Sequence, residues 1–294
     1  MGRRGGRAVL FLIPSIALLL VFNYYPFFSA LFHSLFRWDG IGEVSRKDFV
    51  GLGHFMKLLS DRDFYIAARN VGILLFFQTL KALTVPLLVA ELVFAIRNVR
   101  VGYFYRVMFV LPMVVPMVVI ILIWRGLYIY ETGFINQFLR VADLGEFARS
   151  WLADKKTALG AIIFMGFPWV GALPMLLYLA GLMDIPESVV DAAEVDGARG
   201  WRRFFHIDLP LLRGQMKLVL VLVIIQTLQQ FEVPFILTDG GPGKATMVPG
   251  LLMYHYAFRY RQLGYASAIA VYMFLAMLIL TNVNMRAMRQ KEEA

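Results

Sequence analysis

The sequence predicts an all-α polytopic membrane protein with six transmembrane helices, and three observations predict it. Hydrophobic residues make up 60% of the 294 and charged residues only 17%, which leaves too little polar surface to cover a water-soluble globule. Six runs of about 20 residues carry little or no charge, the length that crosses a hydrocarbon core roughly 30 Å thick. Lysine and arginine also divide unevenly. Segments 1–7, 97–106, 183–217 and 285–294 hold 14 in 62 residues, and segments 37–69, 125–156 and 238–263 hold 14 in 91. That is the bias expected if the first set is cytoplasmic. The net charge of +9 therefore reads as topology, not as a nucleic-acid surface. The absence of cysteine excludes disulfides, thiolate metal sites and thiol redox chemistry. His33, His54, His206 and His255 are scattered without ligand spacing.

The first span is residues 8–32, uncharged after three N-terminal arginines and too long for a signal-peptide core. Pro14 and Pro26 predict kinks or a ragged outer end. Residues 33–69 are aromatic and mixed, an ordered external segment. The second span runs from about Asn70 to Ile96 and contains Gln78, Lys81 and Glu91. An ionisable group at membrane depth faces the protein interior or a wet cavity. Lys81 either lines a path, pairs with a partner subunit or snorkels, and Glu91 lies near enough to the inner surface to snorkel. A tight cytoplasmic hairpin leads to the third span, 102–124, with Pro112 and Pro116. The fourth span, 157–182, carries Gly-Phe-Pro-Trp-Val-Gly at 166–171, which permits close packing or a local break. The fifth span is 214–237 and the sixth 264–285.

Between the fourth and fifth spans lies Asp191–Pro210, DAAEVDGARGWRRFFHIDLP. It predicts a short helix, a turn at Gly197, a second amphipathic helix and a proline stop. Alternation from an inside N-terminus puts it in the cytoplasm, where so ordered a loop offers itself to a soluble partner. The chain has no energy source of its own. Gly240-Gly-Pro-Gly-Lys244-Ala-Thr246 lacks a hydroxyl directly after the lysine and the four-residue glycine spacing of a phosphate loop, so it reads as an external turn. Glu232 and Asp239 have no nucleophile or histidine beside them, so no catalytic constellation is present. In the fifth span, Gln226, Thr227, Gln229, Gln230 and Glu232 crowd the outer half. Gln226, Thr227 and Gln230 are expected to share one helical face. Amides and hydroxyls both donate and accept, which suits a neutral polyhydroxylated solute; hydrogen bonding between subunits is the alternative.

The 191–210 stretch resembles the E-A-A-x3-G-x9-I-x-L-P loop of binding-protein-dependent ABC importer permeases. Asp191, Ala192, Ala193, Gly197, Ile207, Leu209 and Pro210 fall at the matching places, with Asp191 where the family has glutamate. WDG (38–40), FVGLGHF (49–55), LLSDRDF (58–64), GFINQFL (133–139), LTDGGPG (237–243) and LGYASAIA (263–270) are similar to the carbohydrate-uptake subfamily, of maltose and glycerol-phosphate type. The resemblance implies a type I ABC importer permease (MetI-like) fold with no enzymatic activity. It implies a second permease subunit, two ATPase subunits that bind the ATP and magnesium, an extracellular solute-binding protein and a sugar cargo; this chain itself needs no cofactor. Asp196, Ala198, Arg202 and Phe204 would complete the surface that meets the ATPases. By alignment on Gly240 and Asp191, maltose-type sugar positions fall on Gln226, Thr227 and Gln230 and on Trp169 and its neighbours; Glu232 is a further candidate for the path. The implied domains are 1–69, a first span with an external segment; 70–285, the permease domain with its coupling loop 183–213; and 286–294, a cytoplasmic tail. The implied place is a bacterial or archaeal plasma membrane. A permease for glycerol phosphate, a polyol or a peptide, and a membrane scaffold or receptor, are the alternative functions.

Overall fold

The computed structural model describes residues 2–289, and side chains over 11–287. The side chains of the three N-terminal arginines and residues 290–294 of the tail lie outside the described residues. The described chain is helical but for turns and one isolated antiparallel bridge, Phe36 to Phe49. It falls into two compact units, residues up to Tyr65 with Leu252–Leu275, and Ile66–Leu251 with the chain from Ala276.

Three helices are long and apolar enough to cross a membrane: α1 (candidate span Phe11–His33), α3 (Arg62–Phe94) and α14 (Leu263–Arg289). Three bent pairs bring the number to six if each is one span. Helix α1 passes through Pro26 because a π-turn at Leu20–Tyr24 immediately precedes it, and wider i→i+5 bonding absorbs a missing N–H. In the first unit, α2 (Gly53–Ser60) follows a 3-10 turn at Arg46–Asp48 closed by a Ser45–Asp48 capping box. Helix α3 starts at Arg62 and not at Asn70 as expected, because Asp61 Oδ1 accepts the Asp63 amide at 2.8 Å and caps it.

The second unit contains the bends. The third span is α4 (Val99–Val110) and α5 (Met117–Leu127), turned by 90° through Pro112 and Pro116. Asn98 caps α4 by accepting two backbone amides. After α6 (Phe134–Val141), the fourth span is broken into α7 (Ala158–Phe164) and α8 (Ala172–Met183). Next come α9 (Glu187–Val195), α10 (Trp201–Leu211) and α11 (Arg213–Gln229), with α9 bent 75° from α8 and α10 bent 68° from α11. Helices α12 (Glu232–Thr238) and α13 (Pro249–Tyr254) flank the Gly-Gly-Pro turn. A core binds α3, α8, α10 and α11: Ala82, Leu87, Ala90, Met175, Tyr178, Leu182, Phe204, Leu212 and Val219 are buried together.

Candidate functional site

Helix α9 ends in a Schellman motif. The Ala198 amide bonds the Ala193 carbonyl at 2.8 Å and the Gly197 amide bonds Glu194 at 3.1 Å, the two links that close a helix on a left-handed residue. Gly197 supplies that residue with φ +72, and a Cβ there would meet nothing within 4 Å. The turn predicted from sequence is thus present, and its glycine is needed for its dihedral angle. The proline stop is not: α10 runs through Pro210 to Leu211 and turns at Leu212. A π-turn at Phe204–Asp208 puts the Leu209 amide on the Phe204 carbonyl, so the missing Pro210 N–H does not end the helix.

The two helices have distinct faces. Ala193, Phe204 and Asp208 are buried, and Leu209 packs on the core. Ile207 and Ala198 are half-buried, and Asp191, Ala192, Asp196 and Arg202 are exposed. The outward face also carries Val195 at 87% exposure, Trp201 at 67% and Phe205 at 57%. Trp201 and Phe205 stack at 6.1 Å between ring centroids. These three were missed in the sequence, although a valine and two aromatics within a polar loop are the signal that could have found them.

The break in the fourth span lies at residues 165–171. Gly166, Trp169 and Gly171 have φ of +83, +57 and +57, and the Phe167–Pro168 bond is cis. The last carbonyls of α7 find side-chain donors. Tyr128 Oη donates to Ala161 at 2.7 Å, Lys81 Nζ to Ile163, and Trp169 Nε1 to Phe164 at 3.0 Å. Without water, exposed helix-end carbonyls at membrane depth need such partners. Lys81 Nζ also sits 5.0 Å from the Trp169 ring centroid, a cation–π contact. Lys81 is the one lysine or arginine outside the loop segments counted above, and it secures a broken helix. Trp169 further meets Phe164 and Phe167 edge-on.

The fifth span is broken too. Helix α11 stops at Gln229, Gln230 is extended (φ −66, ψ 123), and α12 begins at Glu232. The expected common face of Gln226, Thr227 and Gln230 is therefore absent. Gln226 is exposed, Thr227 is 4% exposed within the core, and Gln230 is half-buried past the helix end. Glu232 is exposed in the first turn of α12. The hydrogen-bond and ring contacts of Trp169 are with Lys81, Phe164 and Phe167, not with this set.

The Gly-Gly-Pro turn is a packed corner. Thr246, fully buried, lies 2.6 Å from the Thr238 hydroxyl and donates to the Gly241 carbonyl at 2.9 Å. Asn70 Nδ2 donates to the Lys244 and Met247 carbonyls at 3.1 and 2.9 Å. A helix, not a strand, precedes it, so it cannot cradle phosphate as a phosphate loop does. A cavity of about 750 Å³ lies in the first unit, with Arg37, Trp38, His54, Lys57 and Arg261 in its wall. Among the described residues no group of acidic or histidine side chains could hold a metal.

The profile of the binding-protein-dependent transport system inner membrane component matches residues 82–291. The chain belongs to this family. It is an inner-membrane, multi-pass permease of a binding-protein-dependent ABC importer and not an enzyme. Over 287 residues it is 35% identical to the probable ABC transporter permease protein YurN of Bacillus subtilis (strain 168), covering 97% of this chain and 96% of that one. It is 32% identical over 290 residues to the multiple sugar-binding transport system permease protein MsmF of Streptococcus mutans, with 96% and 95% covered. The trehalose/maltose transport system permease protein MalF of Thermococcus litoralis is 31% identical over 288 residues, with 97% and 94% covered. In fold the permease matches a solved bacterial ABC transporter for the import of the acidic polysaccharide alginate. The TM-score is 0.84 at 20% identity, over 98% of this chain and 96% of that one. A bacterial alginate ABC transporter in complex with alginate pentasaccharide-bound periplasmic protein gives 0.83 at 20% identity, over 96% of this chain and 93% of that one. The relatives, unlike the profile, extend over the N-terminal span.

Proposed function

We propose that this permease passes a saccharide, mono- or oligomeric, across the plasma membrane and is driven through Asp191–Pro210 by two ATPase subunits that hold the ATP and magnesium. The single observation that carries the coupling reading is the exposed apolar face of Val195, Trp201 and Phe205 on an otherwise polar loop. Exposed apolar clusters rimmed by charge mark protein contacts, and aromatic side chains concentrate binding energy there. Asp191, Ala192, Asp196, Gly197, Ala198 and Arg202 form the rim, while Ala193, Phe204, Ile207, Leu209 and Pro210 anchor the helices from beneath. A second permease completes the passage, an extracellular binding protein delivers the cargo, and both termini of this chain face the cytoplasm.

The names of the sugar-transport relatives support a saccharide, as do the amides, hydroxyl and aromatics near the two broken spans. Gln226, Gln230, Glu232 and Trp169 would face the path, with Thr227 holding the wall behind them. Gly197→Arg tests the coupling reading by copurification: the membrane-inserted permease should lose its ATPase subunits. Retention of the ATPases with normal uptake overturns it. For the path, Gln230→Leu should raise KM for uptake several-fold with assembly unchanged, and unaltered kinetics would remove Gln230 from it.

A further inference from the structure

Beneath the coupling helices lies a buried charge cluster that neither docking nor passage uses. Asp208 is fully buried among the core residues that hold α10. Arg203 Nε donates to Asp208 Oδ1 at 3.2 Å, and the guanidinium sits 5.6 Å from the Phe94 ring centroid. Glu91, one turn before Phe94 on α3, brings a second carboxyl into the cluster, hydrogen-bonded to Asp208 and within reach of the Arg203 charge. Two carboxyls thus face one arginine, and their bonding is incomplete. Arg203 Nη2 and Glu91 Oε2 are buried without a hydrogen-bond partner, and Asp208 Oδ2 has only the ion-pair contact with Arg203 Nε at 3.2 Å.

A static ion pair needs only one carboxyl, and an apolar pair of similar volume would hold the loop as well or better. A leftover donor in a cluster with a leftover acceptor is unfavourable as it stands, and an arrangement in which Arg203 turns Nη2 to Glu91 would relieve it. We propose that Arg203 is the positioning residue of a latch between the coupling helices and the second span. It holds Asp208 in the conformation described and passes to Glu91 when the ATPases displace α9 and α10. The exchange moves the thrust from the loop into α3, a two-position element of the kind that conformational coupling requires. The latch rests on the coupling reading above.

The test uses the whole importer in lipid nanodiscs, with partner subunits made free of cysteine. This chain has none, so spin labels at Ala95→Cys and Arg199→Cys give one distance, read without nucleotide and with ATP plus vanadate. Glu91→Gln, nearly isosteric, should keep the nucleotide-free distance, lose the vanadate-induced shift and lower binding-protein-stimulated ATP hydrolysis roughly tenfold. Asp208→Asn should populate the vanadate distance without nucleotide. Arg203→Lys should retain part of the shift, because it keeps the charge without the fork, and Arg203→Met none. A full shift and full stimulation in Glu91→Gln overturn the latch. A Gly197→Arg complex that keeps its ATPases overturns the coupling reading instead, so the two failures are distinguishable.

Discussion

Gly197 owes its place to a dihedral angle and not to space, and this separates its substitutions. A side chain there meets nothing within 4 Å, but the left-handed region costs an ordinary residue about 1–2 kcal/mol. Asparagine tolerates that region. Gly197→Asn should therefore retain the ATPase subunits, Gly197→Ala should weaken their retention up to about tenfold, and Gly197→Arg should abolish it; equal retention in all three would show that the turn is not read. His54 supplies a titration in the segment between the first and second spans. Burial holds its imidazole below the ordinary histidine value, and the Phe36 carbonyl, 3.0 Å from Nε2, opposes only part of that. The unfolded chain then binds more protons than the folded one. Stability from His54 is complete above about pH 6.5 and declines as pH falls through the lower folded value. The melting temperature of the nanodisc-held permease should drop between about pH 7.5 and about pH 5.5, and His54→Gln should flatten that drop. An identical slope would rule His54 out as its source.

The breaks in the spans differ in how far they could be read. Pro112, Pro116 and the Gly-Phe-Pro-Trp-Val-Gly run announce their interruptions, because proline removes a backbone donor and glycine admits positive φ. The break at Gln230 has a signal that went unread, Pro234, which offers no N–H to the Gln230 carbonyl four residues back. Glutamine is an ordinary helix former, and the chain leaves the helix where Gly250 packs closely, a Cβ on it falling 3.2 Å from Phe231 Cβ. A contact between residues so far apart in sequence leaves no periodic trace. The start of α3 at Arg62 was also obscured, because charge near a membrane surface reads as loop while Asp61 acts as a cap. Lys81 shows what an intramembrane cation can do without a carboxylate: it ties off α7. Lys81→Met should free the Ile163 carbonyl and destabilise the fourth span by about 1–3 kcal/mol, seen as faster amide exchange over residues 164–171. Unchanged exchange would mean that Lys81 does not hold the break.

The candidate spans, three helices or six if each bent pair is one, were legible because hydropathy sets them, and the Asp191–Pro210 stretch because its residues and spacing are ordered where a plain loop would not be. The first unit was not, since Leu252–Leu275 joins residues before Tyr65 only through contacts made in the folded state, such as the Tyr265 hydroxyl on Asp61 at 2.8 Å. The polar set of the fifth span was half legible: its residues stand out by type, but Thr227 turned out to face the core. Across the assembled importer, Trp201→Ser with Phe205→Ser should lower ATPase affinity by at least about tenfold, the usual reach of aromatic anchors. Undiminished copurification would place the contact elsewhere. The same exposed Val195, Trp201 and Phe205 also bear on the life of a subunit made without its partners. An oily, aromatic surface left in the cytoplasm is what proteases and chaperones select, so the lone chain should be short-lived in pulse-chase and persist once the ATPase is co-expressed. Replacing the two aromatics by serine should lengthen that solitary half-life. The cell would then match the numbers of the subunits through degradation, by disposing of whichever copies keep this face uncovered.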